Sequence, residues 1–166
     1  MSEVLVRRIG PGEAGPWEAV MALLQEAFAF MEGRIDPPSS LARMHAADLA
    51  CAAKTGVALI AEAGPRPVGC LFARIDCDSL ALAKIAVAEG WRNQGLARRL
   101  IAAAEAEARA RGVDALSLQS RVELMESHAA FARLGFKMVG SSAHPGYGRP
   151  TSLTFRRPIN QKEPGR

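Results

Sequence analysis

The residues from 86 to 97, Ala86-Val87-Ala88-Glu89-Gly90-Trp91-Arg92-Asn93-Gln94-Gly95-Leu96-Ala97, change character twice within one short stretch. An apolar run gives way to a polar turn containing glycine, and the turn leads into a long helical pattern. That sequence of events gathers free backbone N–H groups and the positive end of a helix at one point, which is a site for an anion. Helices ordinarily carry Asp or Glu in their first turn. Here Arg92, Arg98 and Arg99 gather there, and the nearest acid, Glu89, lies before the turn. A helix start ringed by arginine and free of acid implies an anion supplied from outside. The chemistry is phosphate binding, but neither by a Walker A loop, since no Gly-Lys-Ser/Thr follows, nor by a dinucleotide fingerprint, since GxGxxG is absent.

The elements that must position this turn can be read from spacing. Residues 4–9 form a short strand. Residues 17–31 form a helix with Val20, Leu23, Leu24, Ala27, Phe28 and Met31 on one face. A loop, 32–38, ends on two prolines, and Ser39 or Ser40 caps a second helix running to about 53. Three strands follow at 57–63, 68–75 and 80–88, the first two joined by Gly64-Pro65-Arg66-Pro67. The helix at 95–111 carries an apolar stripe of Leu96, Leu100, Ile101, Ala104 and Ala108. Glu105/Arg109 and Glu107/Arg111 are its i,i+4 pairs, and Gly112 stands at its C-terminal cap. A strand at 113–119, a helix at 123–134, a strand at 136–140, a Gly/Pro-rich loop at 141–150 and a final strand at 151–157 complete an order β-αα-βββ-α-β-α-β-β. Trp17 is expected on the apolar side of the first helix and Trp91 against the start of the long one.

The chain has 166 residues and reads as one domain over 1–158 with a tail at 159–166. Hydrophobic residues make up 49% and charged residues 23%, enough for a full core without disulfides or a structural metal. Cys51, Cys70 and Cys77 are odd in number and show no CxxC or Cys/His spacing. No disulfide framework and no metal site is expected, and a reducing, cytoplasmic location follows. Cys51 and Cys70 fall within expected elements and should be buried, whereas Cys77 sits in a turn. The first residues lack the apolar run of a signal peptide, and no stretch is long enough to span a membrane. A net charge of +4 suits a phosphate-bearing ligand. Aromatic residues are only 5%, and no basic run is interleaved with them, which argues against nucleic acid.

Arg92-Asn93-Gln94-Gly95-Leu96-Ala97 resembles the Arg/Gln-x-x-Gly-x-Gly/Ala signature of the GNAT acetyltransferase superfamily. The strand before it, the helix after it and the downstream Phe131-Ala132-Arg133-Leu134-Gly135-Phe136 match that family in order and spacing, over roughly residues 4–157. The resemblance implies an α/β (mixed α+β) GNAT fold: a central, mostly antiparallel mixed sheet with helices on both faces. The sheet would be splayed between the strands at 80–88 and 113–119. Acetyl-CoA would lie in the splay as co-substrate. Its pyrophosphate would sit on Arg92, Asn93, Gln94, Gly95, Leu96 and Ala97, and its pantetheine arm would pair with backbone at Ile85 and Val87. Ser127 and Phe131 would flank it. The activity implied is transfer of an acetyl group to a primary amine of a small molecule or peptide, by direct attack in a ternary complex. A homodimer would be in keeping with the family.

Three familiar parts are missing. The tyrosine that often serves as acid is Phe131 here, the asparagine seven residues before it is Leu124, and the strand before the loop carries no carboxylate. His128 and Ser127, one turn before Phe131, and Tyr147, the only tyrosine, are the candidate catalytic side chains; histidine exchanges protons near neutrality. On the acceptor side, Glu32 and Asp36 are suited to an ammonium, Arg34 to a carboxylate, and His144 and Tyr147 to the opposite wall. The competing reading is a GNAT-fold protein that binds acyl-CoA and transfers little.

Overall fold

The computed structural model describes residues 3–159. Its elements are β1 (Val4–Arg8), α1 (Trp17–Ala27), α2 (Ala46–Thr55), β2 (Val57–Ala63), β3 (Arg66–Asp76), β4 (Ser79–Val87), α3 (Leu96–Ala110), β5 (Ala115–Arg121), α4 (Met125–Arg133), β6 (Lys137–Ser142) and β7 (Ser152–Pro158). The strands form one seven-stranded sheet in the order β1-β2-β3-β4-β5-β7-β6. All pairs are antiparallel except β4 with β5. The mixed α/β class and the mostly antiparallel sheet expected from the sequence are therefore present.

Alternation along the strands sends side chains to opposite faces, and each face has its own core. On one, Leu59, Leu71, Leu80 and Leu116 pack with Leu100, Ile101, Ala104 and Ala108 of α3. On the other, Ala58, Ile60, Cys70 and Phe72 pack with Val20, Leu23 and Leu24 of α1 and Leu49 of α2. Trp17 lies 6.1 Å from Phe72, on the apolar side of α1 as expected. Ile159, assigned to the tail by the sequence, is buried, and its N–H donates to the Asp114 carbonyl at 2.8 Å. The rest of that tail, 160–166, lies outside the described residues.

Two helix bounds differ from expectation. α1 stops at Ala27, and Ala29–Met31 tightens into a 3₁₀ turn with Met31 N–H on Phe28 O and Glu32 N–H on Ala29 O. Phe28 still packs against the core under α1, whereas Ala29–Met31 bury no side chain, so the apolar spacing beyond Ala27 does not mark helix. Ser39 caps only a second 3₁₀ turn, Ser40–Arg43, by accepting Leu41 N–H at 3.1 Å. α2 begins later, where the Asp48 carboxylate accepts His45 N–H at 2.8 Å. The turn between β2 and β3 is shortened to Gly64 and Pro65, with Arg66 and Pro67 already in β3. β5 and β6 each run about two residues further toward the C-terminus than their spacing implied. Cys51, expected buried, is exposed, because it falls on the outer face of α2.

The sheet opens in its middle. β4 pairs with β5 only at Leu80–Leu82 against Leu116–Leu118. Beyond that, β5 stays with β7 to Arg121, while β4 continues to Val87 alongside β3. A bulge accompanies the parting: Lys84 and Ile85 together face the single Leu71, Lys84 has φ +53°, and its carbonyl accepts the Cys70 thiol at 3.4 Å. A bulge bends and twists its strand, here freeing the C-terminal half of β4 from β5.

Candidate acetyl-donor and acceptor site

The turn after β4 leads into α3 through left-handed backbone. Asn93 has φ +61° and Gly95 φ +80°, so two left-handed residues bring the chain round onto α3. No side chain caps α3, and among the described residues the N–H groups from Asn93 to Arg98 meet no acceptor. A Cβ built on Gly95 would meet nothing within 4 Å, which leaves open the approach that a diphosphate needs. Of the three arginines, two stay near. Arg92 Nε donates to the Val87 carbonyl at 3.1 Å, and Arg98 Nη2 reaches the Arg133 carbonyl at 3.4 Å, across to α4. Arg99 does not belong to the ring: it turns to the far side and donates to Val4 O at 2.8 Å.

The open edge of β4 lies beside this turn. Ala88 N–H donates across to Val68 O on β3. Since N–H groups alternate along a strand, Val87 and, beyond it, Ile85 direct theirs into the splay. The Val87 carbonyl is taken by Arg92, so Val87 offers its N–H and not its carbonyl. These donors, with the uncapped helix start, fit a ligand that carries amides and a diphosphate on one chain, as CoA does.

On the opposite wall, α4 presents side chains already engaged in packing. Phe131 sits 6.3 Å from Phe136 and 6.0 Å from Phe155. His128 packs 5.6 Å from Phe155, and its Nε2 lies 2.8 Å from the Arg121 carbonyl, which requires that this nitrogen carry the proton. His128 thereby ties α4 to the end of β5. Ser127 lies one turn before Phe131, half-buried on the same helix.

The acceptor-side charges are bound to other elements rather than to each other. Arg34 forms a two-pronged pair with Glu126 at 2.6 and 3.0 Å. That bond holds the Glu126 carboxyl below its ordinary range. Asp36 accepts the Tyr147 hydroxyl at 2.6 Å and Arg149 at 3.3 Å, while its own N–H donates to Glu123 at 3.0 Å. The bond to Asp36 raises the Tyr147 hydroxyl above its usual value and keeps it protonated. Arg121 donates to the Pro37 carbonyl at 2.7 Å. The segment 34–38 is thus strapped to the end of β5, the start of α4 and the β6–β7 loop. Glu123, Glu126 and Arg121 were invisible as site residues in the sequence, because nothing local links them to residues more than 80 positions away. His144 is held within its own loop, with its N–H and Nδ1 both on Thr151 Oγ1. Glu32 alone keeps a carboxylate that engages none of the described residues.

The comparisons agree with this geometry. The family model described as "Acetyltransferase (GNAT) family" matches residues 17–136. Among solved structures, PaiA N-acetyltransferase from Thermoplasma acidophilum, in complex with coenzyme A, superposes with a TM-score of 0.76 at 11% identity, over 94% of this chain and 99% of that one. An IAA acetyltransferase from Bacillus cereus superposes with a TM-score of 0.64 at 19% identity, over 95% of this chain and 100% of that one. The ribosomal-protein-S18-alanine N-acetyltransferase from Escherichia coli does so with 0.63 at 17%, over 98% and 97%. At these identities the structures speak for the fold, and the family match, which spans most of the chain, speaks for the chemistry. The chain belongs to the GNAT acetyltransferase family and is an acyltransferase that uses acetyl-CoA.

Proposed function

We propose that this chain transfers the acetyl group of acetyl-CoA to a primary amine of a small molecule or peptide, by direct attack in a ternary complex. The observation that carries this reading is the coincidence of the open β4 edge with the uncapped start of α3. In this reading Asn93 to Ala97 hold the diphosphate through backbone N–H groups, with Arg92 and Arg98 adding positive charge. Val87 and Ile85 hold the pantetheine arm along β4. Ser127 and Phe131 flank it on α4. Acetyl-CoA supplies an activated thioester, and the chain's task is to orient it, exclude water and present the amine.

Proton transfer is the weakly provided part. Phe131 has no proton to give, and β4 offers no carboxylate facing the splay. Tyr147 is held protonated by Asp36 and is suited to donate a hydrogen bond, not to act as base. His128 has Nδ1 left after Nε2 is committed to Arg121 O. The amine is therefore read as entering already neutral or losing its proton to water. Phe131 in place of the tyrosine and a β4 without a carboxylate favour one second reading, a GNAT-fold protein that holds acyl-CoA and transfers slowly.

Calorimetric titration with acetyl-CoA and with CoA, followed by acetylation of an amine panel, tests the proposal. Saturable one-to-one binding and turnover of at least one amine is the expected result. Binding without turnover of any amine would leave the acyl-CoA-binding reading in its place, and no binding would remove both.

A further inference from the structure

Lys84 is the one ionisable side chain of β4, and its backbone is unusual. Its φ of +53° is left-handed, a conformation that residues with a side chain rarely take and that gathers at functional sites. Lys84 is the first residue of the bulge, so it stands where β4 leaves β5. It is half-buried, yet among the described residues its ammonium meets no carboxylate and no hydrogen-bond acceptor. Burial governs the Cys70 thiol, but the Lys84 charge acts on it as well, so the ammonium lies close to the bulge. A half-buried cation without an anion implies that the anion comes from outside.

The place fits the reacting end of the acyl donor. With the diphosphate at the start of α3 and the pantetheine arm along Val87 and then Ile85, the donor runs back along β4 toward the bulge. Its thioester then comes level with Lys84, just before the strands close at Leu82 and Leu118. A lysine stem is flexible and roughly two strand residues long, so its ammonium can meet a sulfur at this level. The reaction makes an anion there. The amine nitrogen attacks the carbonyl carbon, and the carbonyl pair moves to oxygen. When the C=O re-forms, the C–S bond breaks and its electron pair leaves on sulfur as thiolate, while the proton lost by the amine goes to water. Phe131 has nothing to offer this thiolate.

We infer that Lys84 stabilises the departing CoA thiolate, through its charge and an N–H donated to sulfur. The inference rests on the transferase reading above and names the residue that assists the leaving group. No proton leaves Lys84 in this step, and CoA takes its proton from solvent. Few other groups near it titrate. Opposite this stretch β3 carries only Cys70, whose thiol burial pushes up to about 12, and β5 carries only Arg121, at its end. α1 brings Glu18 and Glu26 and the start of α3 brings Arg98, all exposed, while His128 of α4 is bound to the Arg121 carbonyl.

The test measures the affinities of the full chain for CoA and acetyl-CoA by calorimetry at pH 7 and pH 9. Both ligands carry the same phosphates and adenine, so the ratio of the two affinities reports the thiol alone. A cation beside the sulfur favours thiolate, so in the unaltered chain the ratio should shift toward CoA by at least about threefold between the two pH values. Lys84→Arg should keep that shift. Lys84→Met and Lys84→Gly should lose it while acetyl-CoA affinity at pH 7 stays within about twofold, which shows that both are folded; glycine is at ease with a left-handed φ. With an amine that the chain acetylates, Lys84→Met should lower kcat by at least about tenfold with the KM for acetyl-CoA little altered. No shift in the unaltered chain, or an equal shift or an unchanged kcat in Lys84→Met, would overturn the assignment and leave the transferase reading in place. Loss of acetyl-CoA binding in the unaltered chain would end the transferase reading itself, and this inference with it.

Discussion

Gly95 shows how one residue type shapes the start of a helix. Its φ of +80° is left-handed, and its missing side chain leaves open space in front of the α3 N–H groups. A β-branched side chain there costs about 1–2 kcal/mol of backbone strain and fills the approach. Gly95→Val should therefore weaken acetyl-CoA binding about tenfold or more, measured by titration. Unchanged affinity would place the diphosphate elsewhere. The cysteines give a second prediction at this scale. Burial pushes the Cys70 thiol up to about 12, while Cys51 and Cys77 are exposed. At pH 8 a thiol reagent should modify Cys51 and Cys77 quickly and Cys70 only after denaturation. Rapid labelling of all three would mean that the core around Cys70 opens readily. The sequence marked Cys70 and Cys77 correctly but misplaced Cys51: a helical position says nothing about which face meets the sheet until the helix is docked.

At the scale of elements, the joint between α2 and β2 depends on close backbone approach. Gly56 donates its N–H to Ala52 O at 2.9 Å, ending α2, and a Cβ on it would stand 2.4 Å from the Ala73 carbonyl of β3. Backbone cannot give way as a side-chain tip can. Gly56→Ala should cost about 1–3 kcal/mol, and thermal melting should report it as a fall of about 2–4 °C for each kcal/mol. A Tm within a degree of the parent would show that β3 accommodates the methyl. The strands and α3 were legible from sequence, because periods of 2.0 and 3.6 are imposed by which residues must leave water. α3 bears this out to the cap: Gly112 takes φ +73°, and Glu105/Arg109 pair at 3.5 Å. The break of α1 at Ala27 was not legible, since a 3₁₀ turn keeps nearly the same apolar spacing.

The surface of the molecule carries ion pairs, two of which join distant parts of the chain while the third, Arg7 with Glu13, closes a local turn. Arg156 clasps Asp78 with two bonds at 3.0 and 2.9 Å, Arg34 holds Glu126, and Arg7 holds Glu13 at 2.5 Å. Each arginine lowers its carboxylate partner below the usual value, chiefly through the hydrogen bond. A folded value below the unfolded one means that the stabilisation is present above about pH 4 and is lost as pH falls through the folded value. All three pairs are exposed, so salt screens them. Tm should hold from pH 7 to 5 and drop below pH 4, and about 0.5 M salt should reduce the contrast. An equal contrast at both salt concentrations would assign the acid loss to other groups.

What the sequence determined by itself was the order of elements, the glycine turn into α3 and the family, all of which rest on neighbours in the chain: spacing, capping and a glycine at a turn. What only the tertiary structure decided was the use of each charge. Arg99 faces β1, Arg34 is spent on Glu126, Asp36 on Tyr147 and Arg149, and Glu32 remains. An ion pair depends on distance in space, and the sheet order β4-β5-β7-β6, set by burial of both faces, brings residues more than 80 positions apart within 3 Å. The splay belongs to the same class, because the bulge that frees β4 is defined only against its neighbours β3 and β5.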